Sequence, residues 1–128
     1  MIEFLIPGSI PSALNLREHW ATKAWRVKKQ REQALLLARF NVELTLAADL
    51  QARGGVITLT RCAPRQLDSD NLAGALKGTR DGIAVALGIS DGDERIAWRY
   101  AQERCRDGEQ QVRVTIETTW PCSPRTIP

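Results

Sequence analysis

The chain has one histidine, three cysteines and few aromatic residues, with four Trp, two Phe and one Tyr among 128 positions. With His19 alone, multi-histidine zinc chemistry is excluded and little room is left for a Ser-His-Asp arrangement. Cys62, Cys105 and Cys122 are odd in number, widely spaced and without a CxxC pair, so free thiols are expected rather than a disulfide framework. No apolar run is long enough to span a bilayer. The opening Met1-Ile2-Glu3-Phe4 lacks the basic and apolar regions of a signal peptide, so a cytoplasmic protein without a membrane partner is expected.

What is present is ordinary in bulk and uneven in detail. At 43% hydrophobic and 26% charged the composition is that of a soluble globular protein, which argues against disorder outside the ends. The length fits a single domain over residues 1–120. Residues 121–128 hold Pro121, Pro124 and Pro128 and read as a flexible tail. The net charge of +3 hides a concentration. Residues 17–31 carry Arg17, Lys23, Arg26, Lys28, Lys29 and Arg31 against Glu18 alone, a local +5 that leaves −2 elsewhere. An isolated basic run is often a solvated helix face, but beside a carboxylate cluster phosphate binding is the better reading.

Periodicity supplies the elements. Ile2, Phe4 and Ile6 alternate as a first strand closed by Pro7-Gly8. Asn15 with Glu18 resembles a capping box, and a helix follows to about Phe40, with Trp20, Ala24, Val27, Ala34, Leu35 and Ala38 on one apolar stripe. Residues 41–53 alternate like a strand at Val42, Leu44 and Leu46 but read as helix from Ala47 to Ala52, so both assignments stay open. Val56 to Thr60 is a β-branched strand that must end by Pro64. A helix is expected from Asp70 to Gly88. Residues 95–104 and 112–116 alternate about an Asp107-Gly108 turn and predict an antiparallel hairpin. The sum is an α+β fold, a small mixed sheet of about four strands with two main helices.

The chemistry-bearing residues cluster around the second helix. Asp68 and Asp70 stand at its start, and Asp91 and Asp93 follow its end. Alone, each has an ordinary role: Asp68 or Asp70 as an N-cap, Asp91-Gly92-Asp93 as a turn. At 100° per residue, Leu72, Ala75, Leu76, Thr79, Ile83, Ala86 and Leu87 form an apolar face, while Asp70, Gly74, Lys77, Gly78 and Asp81 share the opposite ridge. Capping needs one carboxylate, and here several share a ridge with a lysine. A loop before the helix and a strand after it are expected to gather the carboxylates around a hard cation, Mg²⁺ or Mn²⁺. An EF-hand is excluded, because Ala73 and Thr79 stand where its loop needs Gly and Glu.

Leu67-Asp68-Ser69-Asp70-Asn71-Leu72, the helix with its Asp-Gly pair and the acidic cluster after a Gly-hydrophobic step resemble the RusA family of Holliday junction resolvases, common in prophages. Pro11-Ser12 with Asn15 is similar to that family's opening segment. The resemblance implies a small α+β homodimer that cuts four-way DNA junctions symmetrically with Mg²⁺, Mn²⁺ substituting and no organic cofactor. It implies that Asp68, Asp70 and Asp91 bind the metal. Gly92 separates Asp91 from Asp93 where the family has adjacent aspartates, so Asp93 stays an alternative third ligand. The family's catalytic lysine falls at Gly74 here, which leaves Lys77, on the same ridge, to supply that charge.

Phosphodiester hydrolysis needs a nucleophilic water, neutralised phosphoryl oxygens and a supported leaving oxygen, and carboxylate-held Mg²⁺ supplies all three. Lys77 is expected to stabilise developing charge, with Asp81 supporting it. Lys23, Arg26, Lys28, Lys29, Arg65 and Arg80 are the candidate phosphate grips. Two rivals remain: a metal-dependent nuclease on forked, flap or linear DNA, and a non-catalytic DNA-binding protein whose aspartates only cap and turn.

Overall fold

Residues 1–8, 10, 20–90 and 92–118 are described by a computed structural model of the chain. The order is β1 (Ile2–Pro7), α1 (Trp20–Asn41), α2 (Leu44–Arg53), β2 (Gly55–Ala63), α3 (Ser69–Ala75), α4 (Lys77–Leu87), β3 (Ile96–Arg104) and β4 (Gln111–Glu117). The fold is α+β, with a mixed four-stranded sheet of order β1-β4-β2-β3 and α1 and α4 as its main helices. Phe4 and Ile6, Ile57 and Leu59, and Val112, Val114 and Ile116 turn their alternating side chains toward one core. Ala34 and Ala38 of α1, Leu50 of α2 and Leu76, Ile83 and Leu87 close it from the helical side. Among the described residues no helix is long and apolar enough to cross a membrane.

The expected hairpin between the last two strands does not form. β2 lies between them, parallel to β3 and antiparallel to β4, pairing Leu59 with Tyr100 on one side and Val114 on the other. The β-branched run Val56-Ile57-Thr58-Leu59-Thr60 gains more from two neighbouring strands than either amphipathic strand would. Asp107–Glu109 forms a short 3₁₀ turn that carries the chain past the edge of β2. Parallel pairing of β2 and β3 requires a crossover, and α3 and α4 supply it.

That crossover is two helices where one was expected. Leu76 breaks it at φ −93° and ψ 0° while its side chain is fully buried. Gly74 and Gly78 flank the break, and glycine is a poor helix former. The apolar face survives the break: Leu72, Ala75, Leu76, Thr79, Ile83 and Leu87 are buried. Gly78 does not belong to the open ridge, however, because it is buried under α1. A Cβ on Gly78 would lie 3.2 Å from the Val27 carbonyl oxygen, and one on Gly82 only 2.2 Å from that of Arg31. The two glycines let the backbones of α1 and α4 touch.

Two further expectations are amended. The stripe on α1 is buried at Ala34 and Ala38 and half-buried at Val27 and Leu35, but Trp20 and Ala24 are exposed. Close backbone contact with α4 is made at Val27 and Arg31, whereas Trp20 and Ala24 line an open hollow with Asp81. The ambiguous residues 41–53 resolve without a strand: Asn41 ends α1, a bend follows at Val42, and Leu44–Arg53 form α2, ended by Gly54 at φ +79°. The Asn15–Glu18 cap, Pro11-Ser12, His19, Asp91 and residues 121–128 lie outside the described residues.

Candidate metal and nucleic-acid site

The loop that leaves β2 is clamped before α3 begins. Arg61, buried near the end of β2, donates from Nε to the Ile10 carbonyl at 2.8 Å and from Nη1 to the Arg65 carbonyl at 2.7 Å. Gln102 of β3 grips the Leu67 peptide from both sides: Leu67 N donates to Oε1 at 2.8 Å, and Nε2 donates to the Leu67 carbonyl at 2.7 Å. Burial lowers the Arg61 pKa against its ordinary value, with a small opposing influence from Cys105. Asp68, the next residue, is the N-cap of α3, accepting Asn71 N–H at Oδ1 at 2.9 Å. The capping role is therefore real, and Asp70 in the first turn is a second, exposed carboxylate.

The Gly78–Gly82 contact sets the basic start of α1 against this ridge. Asp70, Gly74, Lys77 and Asp81 share a hollow of about 430 Å³ with Lys23, Arg26 and Gln30 of α1. Lys77 Nζ lies 3.6 Å from Asp81 Oδ2, a mostly exposed pair that fixes the lysine's direction more than it stabilises the fold. Gly74 has open space where a Cβ would stand. Two carboxylates, two lysines and an arginine thus meet around one concavity, the mix of charges that a cation-assisted phosphate site requires.

The other candidate cations divide. Lys28 lines an adjoining hollow with Asp81 and Arg31. Lys29 is turned away, 5.5 Å over the Trp25 ring and 3.9 Å from Glu32. Arg65 is exposed in the clamped loop. Arg80 donates to Tyr100 Oη at 2.8 Å, stacks 4.8 Å over Trp98, and lines a hollow of about 310 Å³ with Gly74, Lys77 and Tyr100. Arg61, Gln102, Tyr100, Trp98 and Gly82 were missed from sequence. A polar glutamine in an edge strand and a Gly-x-x-x-Gly spacing were the only signals for two of them.

Asp93 is not brought to this site. Its carboxylate is engaged by Arg95, with Oδ1 accepting the Arg95 N–H at 2.9 Å and Oδ2 accepting from Nη2 at 3.0 Å. Hydrogen bonds from Arg95 hold the Asp93 carboxyl below its ordinary pKa. Arg95 also donates to the Gln51 and Ala52 carbonyls, so Asp93 serves the end of α2. Asp93 adjoins the start of β3, whereas Leu67 is held by Gln102 seven residues along it, on the order of 20 Å away at strand rise. A helical crossover carries the chain from one end of the sheet to the other, which is why Asp93 stands apart from Asp68 and Asp70. Among the described residues no group of three or more His, Cys, Asp or Glu stands ready to hold a metal.

Comparison with known proteins adds one relative. The chain is 37% identical over 81 residues to an uncharacterized protein of Xylella fastidiosa (strain Temecula1 / ATCC 700964), across 60% of this chain and 51% of that protein. The chain thus spans about half that relative's length. No family model matches the chain, and no solved structure matches it.

Proposed function

We propose that the protein is a Mg²⁺-dependent endodeoxyribonuclease that resolves four-way DNA junctions by paired, symmetric phosphodiester cleavage. The observation that carries this reading is the hollow in which Asp70, Lys77 and Asp81 face Lys23 and Arg26. Its oxygen donors suit a hard divalent ion, since Mg²⁺ is held by one or two carboxylates together with waters and substrate phosphates. Asp70 is the principal ligand in this proposal, joined by Asp68 through the carboxylate oxygen not used in capping. Asp91 is the third by resemblance. Bound there, the ion supplies an activated water and neutralises phosphoryl charge.

The chain's own groups do the rest. Lys77, steered by Asp81, donates to a phosphoryl oxygen as negative charge builds. Lys23 and Arg26 hold the strand across the hollow, and Arg80, oriented by Tyr100, meets the next phosphate. Paired cuts on a junction of near two-fold symmetry need two such sites in a two-fold dimer.

Asp70→Asn tests the assignment: Mg²⁺-dependent cleavage is expected to vanish while junction binding is kept or tightened. A variant that cuts normally refutes it. Linear duplex cut as fast as a four-way junction would leave a nuclease but not a resolvase. One observation favours a non-catalytic DNA-binding protein, namely that Asp68 caps α3 and Asp81 pairs with Lys77. That reading requires junction binding indifferent to EDTA and no cleavage with Mg²⁺ or Mn²⁺.

A further inference from the structure

α1 is apolar on two faces, and among the described residues only one is covered. Ala34 and Ala38 are buried against the core. Diametrically opposite, at 100° per residue, Trp25, Lys29, Glu32, Leu36 and Phe40 lie within about 80° of one another. Trp25 is 62% exposed, Leu36 65% and Phe40 88%. Large side chains this exposed in a continuous line mark an interaction surface rather than scattered surface apolars.

The charges within the stripe say which partner fits. Lys29 and Glu32 are its two ionic residues, of opposite sign and one turn apart. Consider two antiparallel copies related by a two-fold axis beside residues 30 and 31. Lys29 then faces Glu32 of the other copy, twice. Trp25 faces Leu36 in the same register, also twice. No like charges are forced together, so the stripe is complementary to itself. We propose that this outward stripe of α1 is the homodimer interface, formed by a second copy of the chain.

The consequence for the site is geometric, and it rests on the junction-cutting reading. A two-fold axis perpendicular to both helices keeps the two hollows lined by Lys23 and Arg26 on one side of the assembly. With helix axes 8–10 Å apart and a 1.5 Å rise per residue, the hollows stand roughly 20 Å from each other. One four-armed substrate lying on that side can reach both. A single helix per partner buries less than the ~800 Å² of a standard interface, so association is concentration-dependent.

Sedimentation of the full chain over a wide concentration range tests this without reference to activity. Wild type is expected to pass from monomer to dimer. Leu36→Glu, at an exposed position that spares the fold, is expected to weaken the dimer at least about tenfold. Val85→Glu, an exposed apolar site on α4 outside the stripe, should leave the dimer unchanged. Lys29→Glu or Glu32→Lys alone should weaken association, and the double exchange should restore it. A wild type that stays monomeric at every concentration overturns the inference, as does a Leu36→Glu variant that dimerises like wild type. A dimer built through the stripe that cuts no DNA would keep this interface and sink the nuclease reading. A nuclease that stays monomeric would do the reverse.

Discussion

Adding one methyl group at Gly82 or at Gly74 should move stability in opposite directions. Both glycines lie in helices of the crossover, where replacement by alanine normally gains about 0.5–1 kcal/mol from backbone entropy. At Gly74 nothing lies within 4 Å of the new Cβ, so that gain should appear undiminished. At Gly82 the Cβ would lie 2.2 Å from the Arg31 carbonyl oxygen and 3.1 Å from Ala34 Cβ. Neither atom belongs to a flexible side-chain tip, so α1 must back away by about 1 Å to reach ordinary contact. Overpacking of this kind costs about 1–3 kcal/mol, which leaves Gly82→Ala less stable by up to about 2.5 kcal/mol after the helix gain is subtracted.

Urea denaturation followed by circular dichroism measures both. At about 1–3 kcal/mol per molar urea, the two midpoints should fall on either side of wild type and differ by roughly 1 M. Gly78→Ala, whose Cβ would meet the Val27 carbonyl at 3.2 Å, should fall between them. The same displacement moves Lys23 and Arg26 relative to Asp70, so Gly82→Ala should also cut turnover by up to about 10²-fold at unchanged metal dependence. A Gly82→Ala protein as stable as Gly74→Ala would mean that α1 does not cross α4 at this point, and the hollow would lose its basic wall.

Three other outcomes can be checked. Lys23→Ala and Arg26→Ala should each lower the salt slope of DNA binding by about one, whereas Lys29→Ala, whose cation sits over Trp25, should leave it unchanged in titrations against ionic strength. Gln102→Ala removes both bonds to the Leu67 peptide and should cost about 1–3 kcal/mol in denaturation, with faster amide exchange at Leu67. Arg113 bonds to Glu103 at 2.6 and 2.5 Å and holds that carboxyl below its ordinary pKa, so this pair stabilises the fold above the unfolded value near ~4.3 and ceases to as pH falls through the lower folded value. The stability gap between wild type and Glu103→Gln should therefore close on acidification, and a gap constant from neutral pH downward would contradict the assignment.

Local patterns in this chain were legible where one physical signal acted alone. The β-branched run at Val56–Thr60, the alternation at 112–116 and the apolar face from Leu72 to Leu87 appear in the structure as the sequence implies. What stayed hidden were choices between neighbours. The alternation at 95–104 says which face of a strand is buried but not which strand it joins. A turn signal at Asp107-Gly108 suggested the adjacent partner, while the more hydrophobic β2 took the position between. Gly78 likewise read as part of the open ridge, because a sequence does not say whether the space beside a glycine is filled by solvent or by another helix.

The same limit explains the division of the acidic residues. Asp68 and Asp70 are near Asp93 in sequence, and like-charged clusters invite a shared cation, but roughly 1.5 Å per helical residue turns that short sequence distance into opposite ends of a strand. Arg95 then gives Asp93 a counter-charge of its own. At the other end the counter-charges for Asp70 come from a helix some forty residues earlier, through a glycine contact that no periodicity reports. A charged site assembled by helix packing is therefore sensitive to the packing itself. The junction-cutting proposal consequently depends on Gly82 as directly as on Asp70, although Gly82 carries no chemistry.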